Sequence, residues 1–370
     1  MLRRAILVSF ALGLLPSLTW AAAPTSRPSD DAWPLYARAI QRVAEGDRAN
    51  IMSPAASPLD YPEYPPYSAE WHRLETASYA FNAPARALVH EARSRDTANL
   101  PPLLNADRAI NVGYLFDCRN LANEIGDAAL EQHLHGDDAS AIESLRDLLH
   151  LSDLLDGPAP SSVVQSLVAI GIRMLAINRL EIITADVSLT SDPADPKPLQ
   201  IATAKELIRQ LFDVNDPAPR YADLLKREVA GGHETTAGRD RFLLQMRRGQ
   251  MECNLASMSL ACHLFRPANH RWPASIEELT AYLPAPPRDA WGPMGYVLLK
   301  PDHPGADERP LVYSQCDSKS GLFYPTSEPH YSWYPGFHAG NTLKHGGQFR
   351  DVSLWAPAHP NPEPTTQPLR

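Results

Sequence analysis

Basic residues are in the minority in this chain, and they form no long run. Lysine and arginine together number 34 of the 370 residues, against 43 aspartates and glutamates, so the formal net charge is −9. Proteins that bind along a nucleic-acid backbone carry a basic patch or stripe. We therefore expect no nucleic-acid partner.

The chain also lacks the short motifs of several enzyme classes. It has no Gly-x-Ser-x-Gly turn, no P-loop and no dinucleotide fingerprint. The pair His233-Glu234 lacks the second histidine of a zinc-peptidase helix. Four further candidate zinc ligands follow no tetrahedral spacing: Cys253, Cys262, His263 and His270. We therefore predict no catalytic residue, no bound metal and no cofactor, and favour a protein that is not an enzyme.

Long apolar runs are equally scarce, and the longest one lies at the start of the chain. Two arginines precede the apolar run from Ala5 to Leu18, and small residues follow it at Ala21–Ala23. This pattern predicts a signal peptide over residues 1–23 that is cleaved after Ala21 or Ala23. An uncleaved anchor is the alternative, because the run with its small residues is just long enough to span a bilayer. We expect export to the periplasm, the cell envelope or the outside, with no membrane span after signal cleavage.

Cysteine is rare, with four residues in the chain: Cys118, Cys253, Cys262 and Cys316. In an exported protein four cysteines indicate two disulfides. Cys253 and Cys262 cannot pair with each other, because nine helical residues separate them by roughly 13 Å and place them on opposite faces. Since Cys253 shares the inward helix face, the favoured pairing is Cys118–Cys253 with Cys262–Cys316. The alternative is that one or both pairs are reduced and buried as small apolar residues.

Apolar residues at helical spacing fill most of the chain up to residue 265. The run Val163–Ile183 is apolar on nearly every side, so we expect it at the centre of the helical part. Short strands are expected at Tyr296–Leu299, Leu311–Tyr313 and Val352–Trp355. The predicted helices are Pro34–Gly46, Ser68–Ser94, Asp107–Leu134, Ala139–Leu155, Ser161–Ile183, Leu199–Phe212, Ala218–Val229 and Arg239–Phe265.

These patterns predict an α+β protein, in which a mostly helical bundle or array precedes a small antiparallel β unit. The predicted order is a signal peptide, a linker, a helical domain, a long connecting helix, a C-terminal α+β unit and a tail. The tail is rich in proline and polar residues, so we expect it to be disordered. The corresponding ranges are 1–23, 24–32, 33–238, 239–269, 270–357 and 358–370.

A series of short motifs follows the last predicted helix, between His270 and the first strands. They are Trp272-Pro273, Ser275-Ile-Glu-Glu-Leu279, Pro287-Arg-Asp-Ala-Trp-Gly292, Tyr296 and Tyr313-Ser-Gln-Cys-Asp317, with a closing-strand motif at Asp351–Pro357. Together they resemble the C-terminal part of the type II secretion major pseudopilins, which implies a small helix-and-sheet unit. A pseudopilin starts its own long helix with Gly followed by Phe-Thr-Leu-x-x-Glu, and this chain lacks that motif. The resemblance therefore does not imply filament assembly.

Two motifs of the helical part, Gly136-Asp-Asp138 with Leu145-Arg-Asp-Leu-Leu149 and Gln165–Ile172, point to a second resemblance. They are similar to those of a broad family of uncharacterised exported bacterial proteins that carry the same C-terminal segment. That resemblance implies no activity. In pseudopilins a nearby loop binds calcium through carboxylates and carbonyls, whereas here Asp317 lies between a cysteine and a serine. We expect no calcium site, because calcium needs six or more oxygen ligands.

Aromatic residues cluster near the C-terminal end of the chain. Tyr331, Trp333, Tyr334 and Phe337 form a candidate ligand surface, because exposed rings stack on glycans or peptides. The favoured interpretation is that these rings cover a small β unit that has little core of its own. We predict a non-catalytic binding or structural protein of the cell envelope, with an envelope protein or a glycan as its partner.

A hydrolase that acts on an envelope polymer is the alternative function. Its site would lie at His133, His135 and Asp138, near a helix–helix junction, or in the region of His330 and His338. Helix capping explains the acidic residue, and solvent exposure explains the histidines, without any catalysis.

Overall fold

The computed structural model describes residues 31–57, 67–95, 97–102, 112–157, 162–184, 187–230, 236–289, 292–299, 309–314 and 331–333. The predicted signal peptide, the C-terminal tail and the strand Val352–Trp355 lie outside these residues, as does Cys316. Within them the protein is mostly helical, which confirms that part of the predicted fold class.

Five helices form the first part of the fold. They are α1 (Trp33–Arg48), α2 (Ala69–Ala92), α3 (Gly113–Leu134), α4 (Asp138–Asp156) and α5 (Val163–Ile183). Three begin at a capping side chain: the Ser68 hydroxyl, the Asp137 carboxylate and the Ser162 hydroxyl each accept a hydrogen bond from the backbone N–H three residues later. For these three helices, cap residues and apolar spacing explain why the predicted bounds lie within a few residues of those observed; the predicted start of the third helix at Asp107 lies outside the described residues.

Gly46 was expected to end the first helix, but α1 continues to Arg48 and buries this glycine. A Cβ atom at Gly46 would lie 2.9 Å from the carbonyl oxygen of Ile51 and 3.1 Å from the ring of Phe81. The glycine therefore permits a close approach of the chain to α2 and is not a helix terminator.

Helix α3 is the most enclosed of these helices. Apolar residues at helical spacing form one buried stripe along it, which consists of Tyr114, Cys118, Leu121, Ile125 and Ala129. The helix packs against α1, α2, α4 and α5, so most of its other faces are buried too. Helix α5 packs against α3 and α4, as expected for a helix at the centre of the helical part, but its residues Val164 and Leu167 are exposed.

The second part of the fold is organised around one long helix. Helices α6 (Ile201–Leu211) and α7 (Ala222–Ala230) precede α8 (Thr236–Asn269), which has 34 residues. Two short parallel strands, β1 (Leu189–Thr190) and β2 (Leu199–Gln200), connect α5 to α6. Helix α8 packs mainly against α5 and α6. In the residues that the structure describes, no helix is both long and apolar enough to cross a membrane.

Asn254 holds two neighbouring segments of the chain against α8. Its fully buried side chain accepts a hydrogen bond from the N–H of Asp213 at 3.0 Å and donates to the carbonyl oxygen of the same residue at 2.8 Å. It also donates to the carbonyl oxygen of Arg288 at 3.1 Å. One amide therefore ties the loop after α6 and the first residue of the C-terminal strands to α8.

Four strands follow a 3₁₀ turn at Ile276–Ala281. They are β3 (Arg288–Asp289), β4 (Gly292–Leu299), β5 (Arg309–Ser314) and β6 (Tyr331–Trp333), paired antiparallel in chain order. In the longest pairing Tyr296 lies opposite Val312. Strands β3, β5 and β6 contact α8, and the buried side chains of Met294 and Val312 join the apolar core of the helices.

Candidate functional site

His133 and Asp138 form a buried hydrogen-bonded pair at the α3–α4 junction. The Nδ1 atom of His133 lies 2.6 Å from Oδ1 of Asp138, and both side chains are almost fully buried. The other oxygen of Asp138 accepts a hydrogen bond from the N–H of Ser188 at 2.7 Å. The pair therefore ties the helix junction to the segment that leads into β1.

His135, the third residue of this predicted site, does not join the pair. Its side chain is 71% exposed, and its Nδ1 donates to the carbonyl oxygen of Glu131 at 2.8 Å. In the part of the chain that the structure describes, no group of three or more histidine, cysteine, aspartate and glutamate side chains is arranged to hold a metal ion. His330 and His338 lie outside the described residues.

The predicted aromatic surface is described only in part. Tyr331 and Trp333 belong to β6, where their backbones pair with Ser314 and Val312 of β5. Tyr334 and Phe337 lie outside the described residues. The interpretation of these rings as a ligand surface or as a cover therefore stays a prediction.

Cys118, Cys253 and Cys262 are buried, and no disulfide joins any two of them. The predicted Cys118–Cys253 disulfide is not formed in this structure, because α8 packs mainly against α5 and α6 whereas α3 packs mainly against α4 and α5. The predicted Cys262–Cys316 bond stays a prediction. Burial raises the pKa of the Cys253 thiol to about 12 and raises the pKa values of the other two thiols as well. All three are therefore neutral and poor nucleophiles.

A second buried polar site lies between α2 and α3, and we call it the carboxyl cluster. It consists of Glu75 on α2 and of Glu124, Asp127 and Glu131 on α3. The three acids of α3 are spaced by three and four residues, so they share one helix face. None of the four residues is more than 5% exposed, and Glu75 is fully buried.

Two of these four carboxylates are paired with arginine. Arg86 of α2 lies 3.2 Å from Oε1 of Glu124, and Arg179 of α5 lies 2.9 Å from Oδ1 of Asp127. The Ser78 hydroxyl donates to the other oxygen of Glu124, and the N–H of Ala55 donates to the other oxygen of Asp127. Burial has the larger effect and raises the pKa of both Glu124 and Asp127, although each has an arginine and a hydrogen-bond donor, which lower its pKa.

Glu75 is different, because neither of its oxygens has a hydrogen-bond partner among the described residues. Burial raises the pKa of Glu75 well above its ordinary value, and the negative charges of Asp127, Glu124 and Glu131 raise it further. A strongly perturbed titratable group in a buried cluster is a recognised indicator of a functional site.

Sequence reasoning missed the carboxyl cluster. Polar residues at helical spacing on α2 and α3 are usually taken as solvent-facing sides of amphipathic helices. The available signal was that α3 carries acids and apolar residues on adjacent faces, which leaves little surface for water. Only the packing of α2 onto α3 reveals that the two polar sides meet.

The His133–Asp138 pair and the carboxyl cluster thus supply the buried polar chemistry on which a function can be argued. Both lie on contacts between helices, so each has an evident structural role. Comparison with protein-family models, with curated proteins and with solved structures gave no match to this chain.

Proposed function

We propose that the chain is an exported, non-catalytic protein of the cell envelope that binds an envelope protein through its helical part. The observation that carries this proposal is a set of exposed aliphatic side chains on α5 and α7. Val164 and Leu167 are 43% and 40% exposed, and Val229 is 43% exposed. Exposed apolar patches often mark protein interaction sites.

These side chains lie close together on the fold. Val164 and Leu167 are three residues apart and therefore share one side of α5. Glu228, the neighbour of Val229, accepts a hydrogen bond from the N–H of Val163 at 3.4 Å, which brings α7 beside the start of α5. Gly171 extends the same side, with no atom within 4 Å of its Cβ position. We call Val164, Leu167, Gly171 and Val229 the α5 surface.

The chemistry of the α5 surface favours a protein over a glycan as the partner. Its exposed side chains are aliphatic, whereas glycan-binding surfaces use aromatic rings for stacking. The groups that acid–base catalysis would need instead hold helices together, as His133 and Asp138 do at the α3–α4 junction. This use of the polar side chains supports a binding role over a catalytic one.

The test compares the full-length protein with a surface variant. In the double variant Val164→Ser, Leu167→Ser, we expect at least a tenfold loss of affinity for a partner that the wild type retains from solubilised envelope, because about 2 kcal/mol of apolar burial is lost. Phe116→Ser is the matched control, because Phe116 is 53% exposed but lies on α3.

Two outcomes would contradict the proposal. One is a double variant that binds the same partner with unchanged affinity. The other is cell fractionation that recovers the protein in the cytoplasm with residues 1–23 still attached, since the proposal depends on export.

We further propose that residues 270–357 form a pseudopilin-like unit with a structural role. Support comes from side-chain contacts in the segment that follows α8. Arg271 makes a bidentate pair with Glu278 at 2.6 and 2.8 Å, and the Tyr296 hydroxyl donates to the carbonyl oxygen of Pro273. An experimental structure of the full chain that lacks an antiparallel sheet against α8 would count against this unit.

The second candidate function is an envelope-polymer hydrolase, whose catalytic pair would be the hydrogen-bonded His133 and Asp138. In such an enzyme the carboxylate would orient the imidazole as a general base. Release of fragments from purified envelope polymer by the wild type, lost in a folded His133→Ala variant, would establish it. A wild type that releases no fragments would remove it.

A further inference from the structure

The buried side of α2 is unusual, because it carries a carboxyl group at its centre. Trp71, Glu75, Ser78 and Asn82 follow one another at spacings of four, three and four residues, and all are buried. Glu75 therefore occupies a position on the helix–helix contact that an apolar residue normally fills. A carboxylate cannot be buried there without compensation.

The neighbourhood of Glu75 has more hydrogen-bond acceptors than donors. Besides both oxygens of Glu75, the second oxygen of Glu131 and the amide oxygen of Asn82 have no donor among the described residues. The Ser78 hydroxyl already donates its hydrogen bond to Glu124 and has none left for Glu75. A carboxyl group that binds a proton becomes a donor, so one bound proton reduces this imbalance directly.

The charges around Glu75 leave it without a cation of its own. On α3 it faces Glu124, Asp127 and Glu131. The Arg86 guanidinium on its own helix pairs with Glu124, and Arg179 of α5 pairs with Asp127. His135 lies 3.7 Å from Glu131, and the Thr76 hydroxyl lies 3.4 Å from the same oxygen.

We propose that Glu75 is a proton-binding site, and that the bound proton holds α2 against α3 so that this interface is a pH-sensitive switch. With the proton bound, Glu75 is a neutral carboxylic acid and can donate a hydrogen bond within the carboxyl cluster. Without it, Glu75 adds a fourth buried negative charge to the carboxyl cluster, the nearby Arg86 is already paired with Glu124, and α2 is pushed away from α3.

The direction of the pH effect follows from linkage. The pKa of Glu75 is raised in the folded protein, so its contribution to stability is fully present below the ordinary glutamate pKa of 4.5. That contribution is lost as the pH rises from there through the raised folded pKa. The switch therefore loosens toward alkaline pH and tightens toward acidic pH.

Trp71 is a natural reporter of this interface. It lies one turn before Glu75 on the same side of α2, is 3% exposed, and packs with Leu130 of α3 and Ile182 of α5. Its ring also stacks on Tyr67, with 4.3 Å between the ring centroids. Any movement of α2 away from α3 changes this environment.

The experiment labels the full-length protein with 5-fluorotryptophan and follows the Trp71 resonance by fluorine NMR from acidic to alkaline pH. Trp71→Phe assigns the resonance. In the wild type we expect it to titrate with a midpoint above the ordinary glutamate pKa. In Glu75→Gln, a neutral isostere, we expect it to keep its acidic position throughout.

Glu70→Gln is the matched control, because Glu70 lies on the same helix in an exposed pair with Arg73. We expect it to titrate as the wild type does. A Trp71 resonance that does not titrate in the wild type, or that titrates equally in Glu75→Gln, overturns the proposal.

Infrared spectroscopy gives a second measurement that does not depend on a variant. Below the midpoint of the Trp71 titration we expect the folded wild type to show the C=O stretching band of a protonated carboxylic acid, and we expect this band to disappear as the pH rises through that midpoint. A folded wild type without this band overturns the proposal even where the variant fails to fold.

Discussion

Single side chains fasten separate parts of this chain to one another. Asn254 bonds three backbone groups from two segments, and Asp138 bonds both a histidine and a backbone N–H. Each such group is buried, so its removal leaves partners that water cannot reach. A buried group without a partner costs about 1–3 kcal/mol.

His133 and His135 offer a matched test of this effect. We expect His133→Ala to lower the free energy of unfolding by about 1–3 kcal/mol, because it leaves one oxygen of Asp138 without its buried partner. His135→Ala should change it by less than about 0.5 kcal/mol, because that ring is largely exposed. Urea denaturation measures both, and equal effects of the two substitutions would contradict the structural role given to His133.

At the scale of helices, the sequence was informative wherever apolar spacing and a cap residue agreed. The start of α2 at Ser68, of α4 at Asp137 and of α5 at Ser162 each combines the two signals. Helix α8 extends past its predicted end and includes Pro267, although a proline at this place removes one backbone donor and crowds the carbonyl group four residues earlier.

The exposed side of α5 and the buried carboxyl cluster were both missed by the sequence analysis, and the reason is the same for both. Composition indicates how apolar a helix face is, but only the packing of neighbouring helices decides whether that face meets water. Leu167 is apolar and exposed, whereas Glu75 is ionisable and buried. Neither fact is encoded in the local spacing of the residues.

The contact between α5 and α8 depends on one glycine. A Cβ atom at Gly249 would lie 2.8 Å from Cγ1 of Ile170, which is closer than real Cβ contacts allow. We expect Gly249→Ala to destabilise the protein by about 1–3 kcal/mol, because Ile170 must move in a packed site.

Gly171→Ala is the control, because its Cβ position on α5 has no neighbouring atom within 4 Å. That substitution should stabilise the protein by up to about 1 kcal/mol through helix propensity alone. Thermal denaturation distinguishes the two, and a Gly249→Ala protein as stable as Gly171→Ala would show that the helices are less tightly packed.

At the scale of the whole molecule, one apolar core extends from the first helix to the C-terminal strands. Its members include Tyr36 in α1, Leu121 in α3, Leu207 in α6, Leu260 in α8 and Val312 in β5. The sequence suggested α8 as a connection between two units. Its buried side chains belong to the same core as those of the helices before it and the strands after it.

Mapping of the cysteines shows whether disulfides connect these parts of the fold. From the structure we expect Cys118 and Cys253 to appear as free thiols when the unreduced protein is denatured, alkylated and mapped by peptide mass. A Cys118–Cys253 peptide would contradict the structure, because α3 and α8 pack mainly against other helices. A Cys262–Cys316 peptide would confirm the remaining predicted pair.

Helix α8 also has a geometric consequence. Its 34 residues form a rod about 51 Å long at the standard helical rise. The strands contact this rod directly, and α5 with its exposed side packs against it. The described strands and the exposed side of α5 are therefore carried by the same helix, which sets the distance between them.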